Sequence, residues 1–151
     1  GICAVDKGYD FSIFMQGVAR TSFFINPNDI SPFVNERNAL NVIADNHWSI
    51  NNPDPNAFWP RLSTYSIANN EQQSTWWQRD GDFLRLKNIE IGYTFPDRES
   101  GLFSGLNTRI YFTGLNLLTF SKFDLWDTEM GGNGLGYPPQ KVYNIGLQVN
   151  F

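Results

Sequence analysis

The sequence predicts an all-β chain, part of an antiparallel transmembrane β-barrel, on three observations. Four stretches alternate apolar and polar residues with period two, as strands with one dry and one wet face do. The connections between them are short and long by turns, which describes a barrel with two unlike rims. No stretch approaches the roughly 18 consecutive apolar residues of a membrane helix, and a mean hydropathy of −0.35, the value of a soluble domain, is equally what half-apolar barrel strands give.

Each element follows in order. Residues 1–5 read as the tail of an earlier strand, and Asp6-Lys7-Gly8 as a tight turn with Gly at a φ > 0 position. A first full strand, about 9–19, alternates Phe11, Ile13, Met15 and Gly17 with Ser12, Phe14, Gln16 and Val18. Residues 20–80 form a long connection of Asn, Pro, Ser and aromatics, with one short helix expected from Pro32 to Asp45, capped by Ser31 and striped by Val34, Leu40 and Ile43. A connection of that length is usually functional. The second strand, about 83–95, sets Ile89, Ile91, Tyr93 and Phe95 against Asn88, Glu90, Gly92 and Thr94, and Pro96 ends it. Leu84 and Leu86 have the opposite parity, so the strand either bulges near Lys87 and Asn88 or changes environment there, and a bulge is favoured.

A turn over about 96–107 leads to a third strand, about 108–118, with Ile110 and Phe112 between Arg109, Tyr111 and Thr113, antiparallel to the one before. Residues 119–141 form the second long loop, with Phe120, Phe123, Trp126 and the glycine run Gly131-Gly132-Asn133-Gly134-Leu135-Gly136. The last strand, about 142–151, alternates Tyr143, Ile145, Leu147, Val149 and Phe151 with Asn144, Gly146, Gln148 and Asn150. Ten residues at ~3.3 Å rise and a tilt near 45° cover about 23 Å, the height of a barrel's apolar band. Four strands and a stub cannot close a barrel of at least about eight strands, so further strands are expected upstream.

Composition narrows the function. The 151 residues are 41% hydrophobic, 16% aromatic and only 17% charged, with a net charge of −4. Without a basic run to neutralise phosphates, nucleic acid is not an expected partner. A single cysteine, Cys3, and a single histidine, His47, leave no internal disulfide, no Cys/His metal cluster and no Ser-His-Asp triad. The chain is therefore read as a non-enzyme with no cofactor and no metal. Asp124, Asp127, Glu129 and Asn133 offer oxygen ligands but not calcium-loop spacing, and read as a solvated loop. The glycine run precedes a strand rather than a helix, against a dinucleotide loop.

Several segments then resemble one family. Asp80-Gly81-Asp82-Phe83-Leu84-Arg85-Leu86-Lys87-Asn88-Ile89-Glu90-Ile91-Gly92-Tyr93-Thr94-Phe95-Pro96 is similar to the strand segment near the end of SusC/RagA-type TonB-linked outer-membrane transporters. So are Arg109 to Phe120, Tyr137-Pro138-Pro139-Gln140 to Phe151, Tyr9 to Gly17 and Trp59-Pro60-Arg61-Leu62, in order along the chain. The resemblance implies the last four strands and a stub of a 22-stranded barrel in the outer membrane of a Gram-negative bacterium, crossing it several times. It implies import of oligosaccharide or peptide, a SusD-like surface lipoprotein as lid, and coupling to the TonB complex through a part of the polypeptide absent here. On that basis the short turns are periplasmic and the long loops extracellular.

Two groups of residues follow as candidates. Tyr143, Ile145, Leu147, Val149 and Phe151 form an apolar row on an edge strand, the type of signal that barrel-assembly machinery reads through backbone pairing and a hydrophobic anchor; a lipid-facing strand that closes the barrel has the same pattern. Trp48, Trp59, Trp76, Trp77 and Trp126 lie in the loops, where aromatic faces can stack on sugar or meet the lid, although an interfacial belt or loop packing explains any one of them. The rival to the importer is a secreted all-β glycan-binding module, which accounts for the tryptophans but not for the alternation of short turns and long loops.

Overall fold

In a computed structural model, residues 1–96 and 107–150 are described. Phe151 and most of the expected 96–107 turn lie outside the described residues. The chain is all-β with a few one-turn helices, and it divides into two compact units.

The first unit is a five-stranded antiparallel sheet in the order β1 (Ile2–Asp6), β2 (Tyr9–Val18), β5 (Phe83–Thr94), β6 (Asn107–Ser121), β7 (Val142–Asn150). The β1–β2 hairpin has Lys7 and Gly8 as its two turn residues, both at positive φ, 47° and 88°. Two such residues make the mirror-image turn whose twist matches that of the strands.

Cross-strand partners share a face, so the register sorts the side chains. One row reads Ala4, Phe11, Ile91, Phe112, Ile145, and its neighbours read Ile2, Ile13, Ile89, Gly114, Tyr143 and Asp6, Tyr9, Tyr93, Ile110, Leu147. This face is apolar apart from Asp6 at its corner and Thr108, which lies opposite Val149. The opposite face carries the rows Cys3, Ser12, Glu90, Thr113, Asn144 and Val5, Asp10, Gly92, Tyr111, Gly146. Two mixed rows, Phe14, Asn88, Leu115, Val142 and Val18, Phe83, Ser121, interrupt its polarity.

The parity change at Lys87 has a direct cause. Phe14 registers with Asn88 but Met15 with Leu86, so Lys87 is the extra residue of a β-bulge. On the other side Asn88 opposes Leu115 while Leu86 opposes Leu118, with Asn116 at φ 52° absorbing the mismatch. The bulge keeps Leu86 and Leu84 on the face of Ile89, where they meet Met15 and Gly17 on β2 and Leu118 and Phe120 on β6. The strand β6 runs on to Ser121, beyond the 118 expected from alternation, because these pairs continue the ladder.

The second unit is formed by Arg20–Gly81 with Lys122–Pro138. It is not merely loop. A short antiparallel pair, β3 (Ser22–Phe24) with β4 (Gln78–Asp80), ties the ends of the first connection together, with Phe23 opposite Arg79. Ile25, Ile30, Ile43, Phe58, Trp59, Trp77 and Phe123 pack into a buried core. The expected single helix over Pro32–Asp45 is corrected to separate turns: α1 (Pro27–Ile30), a 3₁₀ turn at Val34–Glu36 and α2 (Asn41–Asp45). Asn26 caps α1, its Oδ1 accepting the Asn28 N–H at 3.2 Å, and Pro27 opens the first turn. Pro32 then bars helical backbone at Ser31, which sits at ψ 123° and ends α1 instead of starting a helix. Phe33 and Glu36 at positive φ break any continuation, and the Arg37 guanidinium donates back to the Asn28 and Asp29 carbonyls at 3.1 and 2.9 Å. A third helical turn, α3 (Ala68–Glu71), leads into a 3₁₀ turn at Thr75–Trp77.

Candidate functional site

Three surfaces are built from these elements: the polar face of the sheet, its last strand, and a cavity in the second unit.

On the polar face Arg109 of β6 lies between two carboxylates. Its Nε donates to Asp10 Oδ1 at 3.0 Å and its terminal nitrogen to Asp10 Oδ2, while the same nitrogen reaches Glu90 Oε1 at 2.6 Å. The guanidinium also stands 4.9 Å from the Tyr111 ring centroid. The space for this comes from two glycines. A Cβ on Gly92 would meet the Asp10 carboxylate and Arg109, and a Cβ on Gly146 would strike the Tyr111 ring. The wall is thus notched so that a cation crosses one strand to its counter-ion and an aromatic ring lies flat over the next. A planar fork donating to two carboxylates is a rigid, directional device.

The last strand, β7, pairs with β6 along one side, and among the described residues its other side has no partner. Tyr143, Ile145 and Leu147 are widely exposed on the apolar face, 79% for Ile145, and Val149 less so. Such a row of exposed aliphatic side chains is unusual on a surface in water. The Phe112 and Tyr143 rings stack at 6.3 Å on the same face, and Tyr9, Tyr93 and Phe95 form an aromatic chain near the Lys7-Gly8 turn, with centroids 4.6 and 5.1 Å apart.

The second unit sorts the tryptophans. Trp59 and Trp77 are 4% and 1% exposed and pack on each other at 5.1 Å. Both rings are therefore core, and neither has a face free for a ligand. Trp77 Nε1 donates to the Asn70 carbonyl at 3.0 Å, which satisfies the one polar atom it buries. Trp126 is half-buried: its Nε1 donates to the Gly131 carbonyl at 2.8 Å, and Gly134 lies so close to the ring that a Cβ would stand 2.7 Å from it. The glycine run is thus a backbone cover for one indole. Trp48 donates its backbone N–H to Trp59 O at 2.9 Å and keeps its ring half-exposed. Trp76 is half-buried at the edge of a cavity of about 500 Å³, whose lining includes Val42, Phe58 and Leu125 with the polar side chains of Asn46, Asn56, Arg79 and Asp124.

Arg79 lines the same cavity and was not singled out by sequence patterning, since it follows Trp76-Trp77 in a stretch without periodicity. One terminal nitrogen donates to the Trp76 and Gln78 carbonyls at 2.6 and 2.8 Å, and the guanidinium stands 5.7 Å from the Phe58 ring centroid. Burial pushes its pKa down from the ordinary arginine value. Of the acidic residues considered for calcium, Asp127 acts within its own loop, where its Oδ1 accepts the Glu129 N–H at 3.0 Å and caps the 3₁₀ turn at Thr128–Met130. Among the described residues no three His, Cys, Asp or Glu side chains gather as a metal site.

Known proteins to which the chain is similar are consistent with one another. It is 28% identical to TonB-dependent receptor P26 of Formosa agariphila over 96% of its own length, and 30% identical to TonB-dependent receptor P3 of the same organism over 75%. It spans 16% and 12% of those receptors, a small part of each. Among solved structures it superposes on the RagAB peptide transporter with a TM-score of 0.70 and 26% identity, covering 96% of this chain and 16% of that one. The RagAB peptide importer in its 'open-open' state has the same fold over 96% of the chain, at a TM-score of 0.66 and 22% identity. No protein-family model matches. In sequence and in fold this chain matches a segment of TonB-dependent receptors.

Proposed function

We propose, from the match to TonB-dependent receptors, that this chain is the C-terminal portion of the barrel of an outer-membrane importer. Its strands about 9–19, 83–95, 108–118 and 142–151, with the β1 stub, cross the membrane of a Gram-negative bacterium as part of a 22-stranded barrel. The face bearing Ile91, Phe112 and Ile145 meets lipid, and the face bearing Asp10, Glu90 and Arg109 lines the lumen. The two long connections lie outside the cell and meet cargo and a SusD-like lipoprotein lid, with the half-exposed rings of Trp48, Trp76 and Trp126 as contacts. Tyr143, Ile145, Leu147, Val149 and Phe151 serve as the assembly signal. Energy reaches the barrel from TonB through the rest of the polypeptide, and no catalytic step belongs to this portion. The cargo is peptide or oligosaccharide; that RagAB is a peptide importer supports peptide.

The single observation that carries the reading is the segregation of the sheet's two faces, apolar row against polar row in register across five strands. Proteins in water bury such a face, whereas a barrel wall turns it to lipid. The test is a fluorophore attached to Cys at position 145 or 144 of the full-length transporter, with exposed Cys3 replaced by Ser. In bilayers containing brominated lipid the probe on Ile145→Cys is expected to be quenched and that on Asn144→Cys to remain bright. Equal quenching at the two positions sinks the reading.

A further inference from the structure

Arg79 stands out among the arginines of the second unit because its uncompensated charge is half-buried, whereas Arg20, Arg37 and Arg61 are exposed. Among the described residues no carboxylate lies within ion-pair distance of it, and its recorded contacts are two backbone carbonyls on one terminal nitrogen and the face of Phe58. An arginine has five N–H donors in a fixed fork, so Nε and the second terminal nitrogen remain uncommitted. A cationic group held on the wall of a cavity, with its own carbonyl contacts fixing its position, is preorganised for an anion. Beside it the cavity offers Trp76 and Leu125 for apolar contact and the amide side chains of Asn46 and Asn56. Asp124 also lines the cavity but is exposed, so water screens its repulsion more than it weakens the attraction of half-buried Arg79.

We propose that this cavity is a cargo subsite in which Arg79, backed by the buried Phe58 ring, binds a carboxylate group while the half-buried Trp76 and Leu125 side chains contact the apolar part next to it. The proposal rests on the importer reading. A carboxylate suits the fork because its two oxygens accept two parallel N–H donors. Two kinds of cargo bring one: the end or acidic side chain of a peptide, and the uronic acid unit of an oligosaccharide.

The test uses the purified full-length transporter and two probe pairs in titration calorimetry. One pair is a pentapeptide with a free terminal carboxylate and the same peptide amidated; the other is a trigalacturonate and its methyl ester. The wild type is expected to prefer the carboxylate member of one pair by about tenfold, and that pair identifies the source. Arg79→Gln is expected to abolish the preference, weakening the carboxylate member about tenfold and the neutral member far less. Arg79→Lys, which keeps the charge without the fork, is expected to keep a reduced preference, and it decides the matter where Arg79→Gln fails to assemble. The proposal is overturned by a wild type without preference in either pair, or by a preference that survives Arg79→Gln. Equal weakening of both members also overturns it, because that is the mark of an arginine that only braces the Trp76 and Gln78 carbonyls. Failure of the importer reading shows separately, as equal lipid quenching at positions 144 and 145.

Discussion

Placing one positive charge on either side of the same strand distinguishes a lipid-facing wall from a water-facing sheet. Ile145 and Asn144 are neighbours on β7, but Ile145 registers with Phe112 on the apolar face and Asn144 with Thr113 on the polar one. Along β5 the apolar rows run from Tyr93 to Leu84, about nine steps of ~3.3 Å, which at a tilt near 45° is about 21 Å of depth. Ile145 aligns with Ile91, two steps in from the Tyr93 row, so it lies about 5 Å inside the rim, halfway to the midplane. Arginine costs about 2–4 kcal/mol at the midplane and 0–1 at the interfaces. For Ile145→Arg the expected cost is therefore about 2 kcal/mol, or about thirtyfold in the folding equilibrium. Asn144→Arg should stay within about 0.5 kcal/mol, losing only a long 3.4 Å contact from Asn144 Nδ2 to Thr113 Oγ1. Urea unfolding of the full-length transporter in lipid vesicles, followed by tryptophan fluorescence, measures both. Unfolding is read on assembled protein, so damage to the assembly signal by Ile145→Arg lowers its yield without entering the comparison. A secreted sheet in water predicts the opposite for Ile145, which at 79% exposure would accept arginine at no cost. Equal stability of the two variants would refute the lipid-facing assignment.

Two further outcomes follow from the geometry. Arg109→Gln leaves the Asp10 and Glu90 carboxylates facing each other without their shared cation, and in this partly exposed setting should cost about 1 kcal/mol; the same unfolding assay should show the added change Asp10→Asn recovering part of that loss, and an unchanged double variant would remove Arg109 from the stability of the wall. Trp77→Ala empties the core of the second unit and strips the Asn70 carbonyl of its donor, at an expected ~3–5 kcal/mol, so limited proteolysis should cut within residues 20–81 while the strands stay protected; cutting no faster than in wild type would contradict the independent core.

How much was legible from sequence depends on what fixes each part. The strands were readable because each side chain's environment alternates with the pleat, so Tyr143 to Val149 declare their face one residue at a time. The bulge was readable for the same reason: the parity change between Leu86 and Ile89 has no other way to keep both leucines with Ile13 and Ile89. The short turn at Lys7-Gly8 followed from residue chemistry. The second unit obeys no period. Its core is drawn from Ile25, Ile43, Phe58, Trp77 and Phe123, residues up to 98 positions apart (123 − 25 = 98), and nothing local marks which of them turn inward. That is why five tryptophans of equal standing in the sequence separate into Trp59 and Trp77 inside and Trp48, Trp76 and Trp126 at the edge.

The misplaced helix shows what a local signal lacks in such a region. Ser31-Pro32 followed by Val34, Leu40 and Ile43 has the composition of a capped amphipathic helix, yet Ser31 Oγ donates at 3.0 Å to the Pro27 carbonyl and closes the helix before it. The same dipeptide serves either as a start or as a stop, because proline favours the first turn of a helix and forbids helical backbone just before itself. What decides is upstream: Asn26-Pro27 already supplies a cap and a first turn, so the second signal falls at the end of α1. Ile30 and Ile43 then reach one core from two separate helical turns, and the chain between them is free to carry the left-handed residues Phe33 and Glu36. A single helix over 32–45 would hold Phe33 and Glu36 in right-handed backbone and extend one rod past the points where Ile30 and Ile43 are buried. The unit instead uses several one-turn elements to bring scattered apolar residues together, which suits a connection whose fixed points are the ends of two paired strands rather than a pattern of its own.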